Sequence, residues 1–260
     1  MNPLKILTAS FGLLFRNAPS IALLCVPLLV VEMFIRDISR SQLGIDNDWA
    51  WQAIIGTVIP PLYTAMLLLI LDARGRDESL AKIGLLSKVI RLWPALAVLS
   101  ALDQMLIIIH GLAFISADTW LKIILSTVQV IPPGGWVAFK WAVFLLARWV
   151  MMRLMFNQCL VLFRGLSIKA SIRESIILSR GLIWQVVACL ALLLAPLWLA
   201  TVIVSILQPD WVADVMIAVQ QNSPGSVTAY SIFAGFIRLF TTIVVFRFFT
   251  AVAERQGTKE

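Results

Sequence analysis

Six long apolar runs, separated by short basic or acidic stretches, constrain this chain more than any other feature. They cover residues 18–35, 49–71, 93–115, 136–163, 182–207 and 230–253. A helix rises about 1.5 Å per residue, so runs of this kind are long enough to cross roughly 30 Å of hydrocarbon. Folding in water is excluded by composition. The chain is 60% hydrophobic and 13% charged, against about half and a quarter in soluble domains. The expected fold is all-α: one transmembrane domain over residues 1–260, a polytopic helical bundle of six spans with cytoplasmic interfacial amphipathic helices.

The flanks agree with that reading. Trp49, Trp93, Trp136, Trp184 and Tyr230 stand near span ends, where amphipathic rings prefer the headgroup level. Pro60 and Pro61 in the second run, and Pro196 in the fifth, remove backbone donors and predict kinks. Pro132-Pro133-Gly134-Gly135 predicts a turn before the fourth span and lacks the lysine and hydroxyl of a phosphate-cradling loop. Residues 3–16 carry Leu4, Leu7, Phe11 and Leu14 at helical spacing, the pattern of a helix lying in the membrane interface. The first apolar run ends in Glu32-Met33-Phe34-Ile35-Arg36 with no small-residue cleavage site, so it is expected to stay as a helix.

Charge then sets orientation. Thirteen basic residues fall on the side that holds the N-terminus, the 72–92 and 164–182 segments and the tail, against Arg36, Arg40 and Lys122 on the other. That bias places both termini in the cytoplasm. The net charge of +7 is spread between spans and not over one soluble face, which fits anionic headgroups and not nucleic acid. The basic segments also suggest an internal repeat: Lys5–Arg16, Leu80–Arg91 and Lys169–Arg180 each precede a span, implying three units of interfacial helix plus two spans.

The stretches Phe11-Gly12-Leu13-Leu14-Phe15-Arg16-Asn17 and Ser79-Leu80-Ala81-Lys82-Ile83, and Leu166 to Ser175 followed by Gly181 and Trp184, carry a resemblance. The chain resembles the YciC-like bacterial inner-membrane proteins, which are related to the membrane domain that precedes some glycerophosphodiester phosphodiesterases. The resemblance implies six spans in a bacterial inner membrane. It implies no hydrolytic activity and supplies no catalytic residues, and the fourth span departs from it in being longer and more basic.

Ionisable side chains inside spans are the candidate sites, because lipid tolerates them only when they pair or face a wet cavity. Asp103 and His110 share a face of the third span; Arg148 and Arg238 lie at similar depth in the fourth and sixth. These four form the expected polar cluster, with an ion pair from Asp103 to Arg148 or Arg238. It either fixes helix register or lines a substrate or proton path. Glu32 sits near the outer end of the first span. Lys140 and Arg247, near span ends, are expected to snorkel. Arg153, Asn157 and Arg164 line up toward the cytoplasm and are candidates for lipid-phosphate contact, a solvated face being the alternative.

Catalytic patterns are missing: the sequence has no G-x-S-x-G, no H-E-x-x-H and no dinucleotide fingerprint. One histidine and three apolar-span cysteines offer neither metal-ligand spacing nor a disulfide framework. No cofactor and no enzymatic activity are expected. The expected partners are membrane lipids and another membrane protein, in a module of envelope or lipid homeostasis, with a small transporter as the alternative.

Overall fold

The computed structural model describes residues 2–43, 45–76, 84–115, 133–207 and 224–257. Among the described residues the chain is helix, turn and short connection, with no strand. The helices are α1 (Pro3–Arg16), α2 (Ala18–Leu24), α3 (Val26–Leu43), α4 (Ile45–Val58), α5 (Pro60–Gly75) and α6 (Leu85–Ile115). They continue as α7 (Pro133–Leu154), α8 (Asn157–Arg164), α9 (Ile168–Leu178), α10 (Ile183–Leu207) and α11 (Pro224–Gly257).

Four stretches among the described residues are long and apolar enough to cross a membrane: Ala53–Gly75, Leu85–Ile109, Trp141–Arg164 and Ala234–Glu254. Two helix pairs raise the number to six if each is one span: α1 with α2, bent by 65°, and α9 with the first part of α10. The all-α membrane architecture therefore stands, and the second, third, fourth and sixth predicted spans each fall on one of the four. The first differs. The predicted run 18–35 is divided at Cys25 into α2 and α3, and α3 carries Glu32, Arg36, Asp37 and Arg40. That many charges lower its hydropathy below what a lone span needs.

Local chemistry explains the ends. Asn2 caps α1, its side chain accepting from the Leu4 N–H at 3.0 Å, and Pro3 occupies the first turn where no donor is missed. Ser167 caps α9 in the same way. Gly165 closes α8 at φ 63°, a left-handed conformation that a side chain would disfavour.

The predicted repeat is only partly visible. α1 and α9 are separate helices, but the middle member is not. α6 runs unbroken through Arg91 and Pro94 to Ile115, and residues 80–83 lie outside the described residues. Proline is tolerated there because an apolar helix can satisfy one freed carbonyl in other ways.

The contacts divide the chain into two compact units. The first comprises Met1–Asp37, Tyr63–Val89 and Gly181–Glu260. In it α1 packs on α10 and α11, with the Phe11 and Phe240 rings 4.4 Å apart and the Cys189 thiol 3.4 Å from the Pro3 carbonyl. Gly235 admits Leu29 so closely that a Cβ there would stand 2.6 Å from its Cδ1. Gly235 is thus a small residue that lets α11 approach α3 closely. Within this unit the α5 stretch Tyr63–Leu71 is buried on every face, the condition for a helix that is apolar all round.

The second unit comprises Ile38–Leu62 and Ile90–Arg180. The expected break at the proline pair lies at Ile59. Pro60 and Pro61 have no N–H to return to the carbonyls of Gly56 and Thr57, and Leu62 turns its N–H to Ile59 at 3.0 Å in place of Val58. Two of these carbonyls find donors on α6. Ser100 Oγ donates to the Gly56 carbonyl at 2.9 Å and Trp93 Nε1 to the Val58 carbonyl at 3.0 Å.

A second break interrupts the fourth span at Met155 and Phe156, between α7 and α8. Ser175, fully buried on α9, occupies it. Its hydroxyl donates to the Arg153 carbonyl at 2.8 Å and accepts from the Phe156 N–H at 3.1 Å. A side chain inserted into the ladder is a standard cause of a helix break, and here it ties α9 to both halves.

Candidate functional site

Among the described residues, two groups of buried polar side chains stand out, with different chemistry. The first is in the first unit, where α3, α5 and α11 each contribute. Glu32 is 5% exposed. One turn on along α3, Arg36 forks onto its Oε1, with Nε at 2.9 Å and Nη2 at 2.7 Å. The i,i+4 spacing of an acid and a base places them together on one helix face. Tyr63, fully buried at the head of α5, donates its hydroxyl to Glu32 Oε2 at 2.9 Å. Arg238 of α11 completes the group. Its Nη1 donates to Glu32 Oε1 at 3.0 Å, to Oε2 at 3.4 Å and to the Tyr63 hydroxyl at 2.6 Å.

Both carboxylate oxygens are thus engaged, and the tyrosine hydroxyl both donates and accepts. Charge-assisted bonds of this kind are about twice as strong as neutral ones. The cluster's chemistry is that of a brace: both oxygens of its acid accept hydrogen bonds, and its members come from three helices far apart in sequence.

The second place is the α7–α8–α9 joint of the second unit. The Arg153 guanidinium lies over the Trp149 ring, 5.1 Å from its centroid. Its Nε and Nη1 atoms are buried and have no hydrogen-bond partner, and the same holds for the side-chain oxygen of Asn157. Asn157 is 5% exposed. Arg164, by contrast, is half-exposed and meets Glu174 of α9 at 3.6 Å.

The expected residues are therefore distributed differently from the sequence reading. Arg238 does meet a carboxylate, that of Glu32 in its own unit. Asp103 and Arg148 are not joined: among the described residues no ion pair reaches Asp103, and the exposed Arg148 guanidinium stands 5.5 Å from the Phe144 ring centroid. Similar depth along two helices fixes height but leaves their rotation open, so sequence alone does not determine the pairing. The side chains of His110 and Lys140 lie outside the described residues. Of the phosphate candidates, Arg153 and Asn157 share the joint, whereas Arg164 has its own acid.

Sequence reasoning missed Tyr63 altogether and left Glu32 outside the cluster. A signal was present for both. Glu32 and Arg36 stand at helical i,i+4 spacing, and Tyr63 is one of only two tyrosines, set in the middle of an apolar run instead of at its rim. Among the described residues no three His, Cys, Asp or Glu side chains could hold a metal ion. Compared with family models, curated proteins and solved structures, the chain matches none of them.

Proposed function

We propose that this chain is a non-enzymatic multi-pass module of the bacterial inner membrane, with both termini cytoplasmic, that acts in envelope or lipid homeostasis through contact with lipids or with a membrane-protein partner. The YciC-like resemblance is part of the same proposal. The observation that carries it is the pair of amphipathic helices α1 and α9, with α1 turned 65° from α2. Lys5, Arg16, Lys169 and Arg173 stand exposed on them. Helices of this kind lie along a membrane surface, and each basic side chain near an anionic leaflet adds about 1 kcal/mol of attraction. The closed Glu32 brace agrees with a packed membrane module, since its charges hold helices together.

Native mass spectrometry of the protein purified in mild detergent tests this. A stoichiometric lipid or protein companion is the expected result; a bare chain that carries nothing would count against it.

One observation favours a second reading, a small transporter with an intramembrane polar path: Asp103 lies in a span without an ion pair to any described residue. An intramembrane ionisable group of that kind commonly marks a path. Asp103→Cys separates the two. Labelling by a water-soluble thiol reagent would indicate a wet path, and a dry, unreactive cysteine would indicate a packed module.

A further inference from the structure

Among the described residues Arg153 has no ion pair, and two of its nitrogens are buried without a hydrogen-bond acceptor. The Trp149 face beneath it offers a cation–π contact, which is attractive but carries no charge to neutralise the guanidinium. The one acid with an ion pair near the joint, Glu174, is turned to Arg164. Burying a donor without a partner is costly, and more so for a charged one.

The site asks for more than an anion. Asn157, four residues further on, is buried with an unmet side-chain oxygen, and an oxygen accepts only from a donor. A single occupant that serves both must present acceptor oxygens with negative charge beside at least one donor, an O–H or an N–H. Phosphate esters of polyols have that combination, as does dihydrogen phosphate. Arginine suits them because its planar fork matches phosphate oxygens. The backbone of the joint is separately provided for. Ser175 satisfies the Arg153 carbonyl and the Phe156 N–H, so the main chain at the break has its partners while the side chains do not. The exposed Lys169 and Arg173 of α9 add positive potential to the element that seals the joint.

The geometry points to a phosphate-binding site at the α7–α8–α9 joint, with Arg153 holding the phosphate and Asn157 accepting from a hydroxyl of the same ligand. This rests on the reading of the chain as a lipid-contacting module and names the headgroup chemistry it would take. Arg164 is not a ligand in this arrangement.

The test is retention of phosphatidylglycerol by the full chain in mild detergent, followed by native mass spectrometry, with phosphatidylethanolamine and inorganic phosphate as separate probes. The wild type is expected to hold phosphatidylglycerol in preference to phosphatidylethanolamine. Arg153→Gln should weaken that retention by about 10- to 100-fold, the worth of charge-assisted bonds, and Arg164→Gln should leave it unchanged. Asn157→Leu serves if Arg153→Gln does not fold, and should weaken retention by up to about tenfold. Equal retention by Arg153→Gln, Asn157→Leu and wild type would overturn the site, implying that water alone serves these atoms, and would leave the lipid-contacting module standing. Binding of inorganic phosphate with no lipid retained would keep the site, make its ligand a soluble phosphate, and count against the lipid reading. A wild type that holds neither overturns both.

Discussion

The Glu32 cluster and the Arg153 joint both place arginine in surroundings that do not solvate it, and they resolve the problem from opposite sides. At Glu32 the chain supplies the counter-charge itself, and four side chains from three helices close on one another at 2.6 to 3.4 Å. At Arg153 the described residues supply an aromatic face and a buried amide but no ion-paired acid. A polar group met internally holds an architecture together, and one left unmet reserves a place for something else. The contrast separates residues expected to govern stability from those expected to govern binding.

The comparison breaks most readily at Glu32. Glu32→Gln leaves Arg36 and Arg238 facing a neutral amide, and loss of one member of a buried charged group costs about 3–5 kcal/mol. Thermal unfolding in detergent should show a larger drop in midpoint for this variant than for Tyr63→Phe, Ser175→Ala or Asp103→Asn. Tyr63→Phe removes one hydrogen bond to the carboxylate and one from Arg238 while keeping the ring, for a loss of about 2 kcal/mol. A midpoint unchanged in that variant would mean that the tyrosine is packed and nothing more. Ser175→Ala strips the hydroxyl from the break in the fourth span, at about 1 kcal/mol. Hydrogen exchange should then quicken around Arg153 and Phe156 and stay as it was around Glu32. Smallest of all is Asp103→Asn, which severs no ion pair and should shift stability by no more than about 0.5 kcal/mol. A large shift there would make Asp103 a third buried charge centre and dissolve the two-way division.

Much of the architecture was legible because hydrocarbon imposes a simple rule on sequence. Apolar length alone located the helices over residues 53–75, 141–164 and 234–254 to within about five residues and the one over 85–109 to within about eight, and Pro60 and Pro61 marked the break before α5 through the donors they lack. The division of the first run at Cys25 stands two residues before Pro27, which has no N–H for the Leu23 carbonyl, a local signal that the run's overall apolarity hides. The candidate site was legible only in its ingredients. Arg238 was recognisable as a residue in need of an acid, but a helix can be rotated about its axis without changing its sequence, and that rotation chose Glu32. The break at Phe156 carries no proline or glycine to announce it. It exists because Ser175, nineteen residues downstream, enters the ladder, and no local pattern encodes an intrusion from another helix.

The proline pair bears on how the chain is made as well as on how it stands. With the Gly56 and Val58 carbonyls bare, the second apolar helix alone in lipid would carry groups that cost several kcal/mol each to leave unsatisfied. Their donors, Ser100 and Trp93, belong to the next helix to emerge during synthesis. The second helix therefore gains its full tolerance for hydrocarbon only when the third arrives, which makes the two a unit of membrane insertion. Ser100→Ala would then act during biogenesis first, lowering the yield of inserted protein more than it lowers the stability of the protein that succeeds.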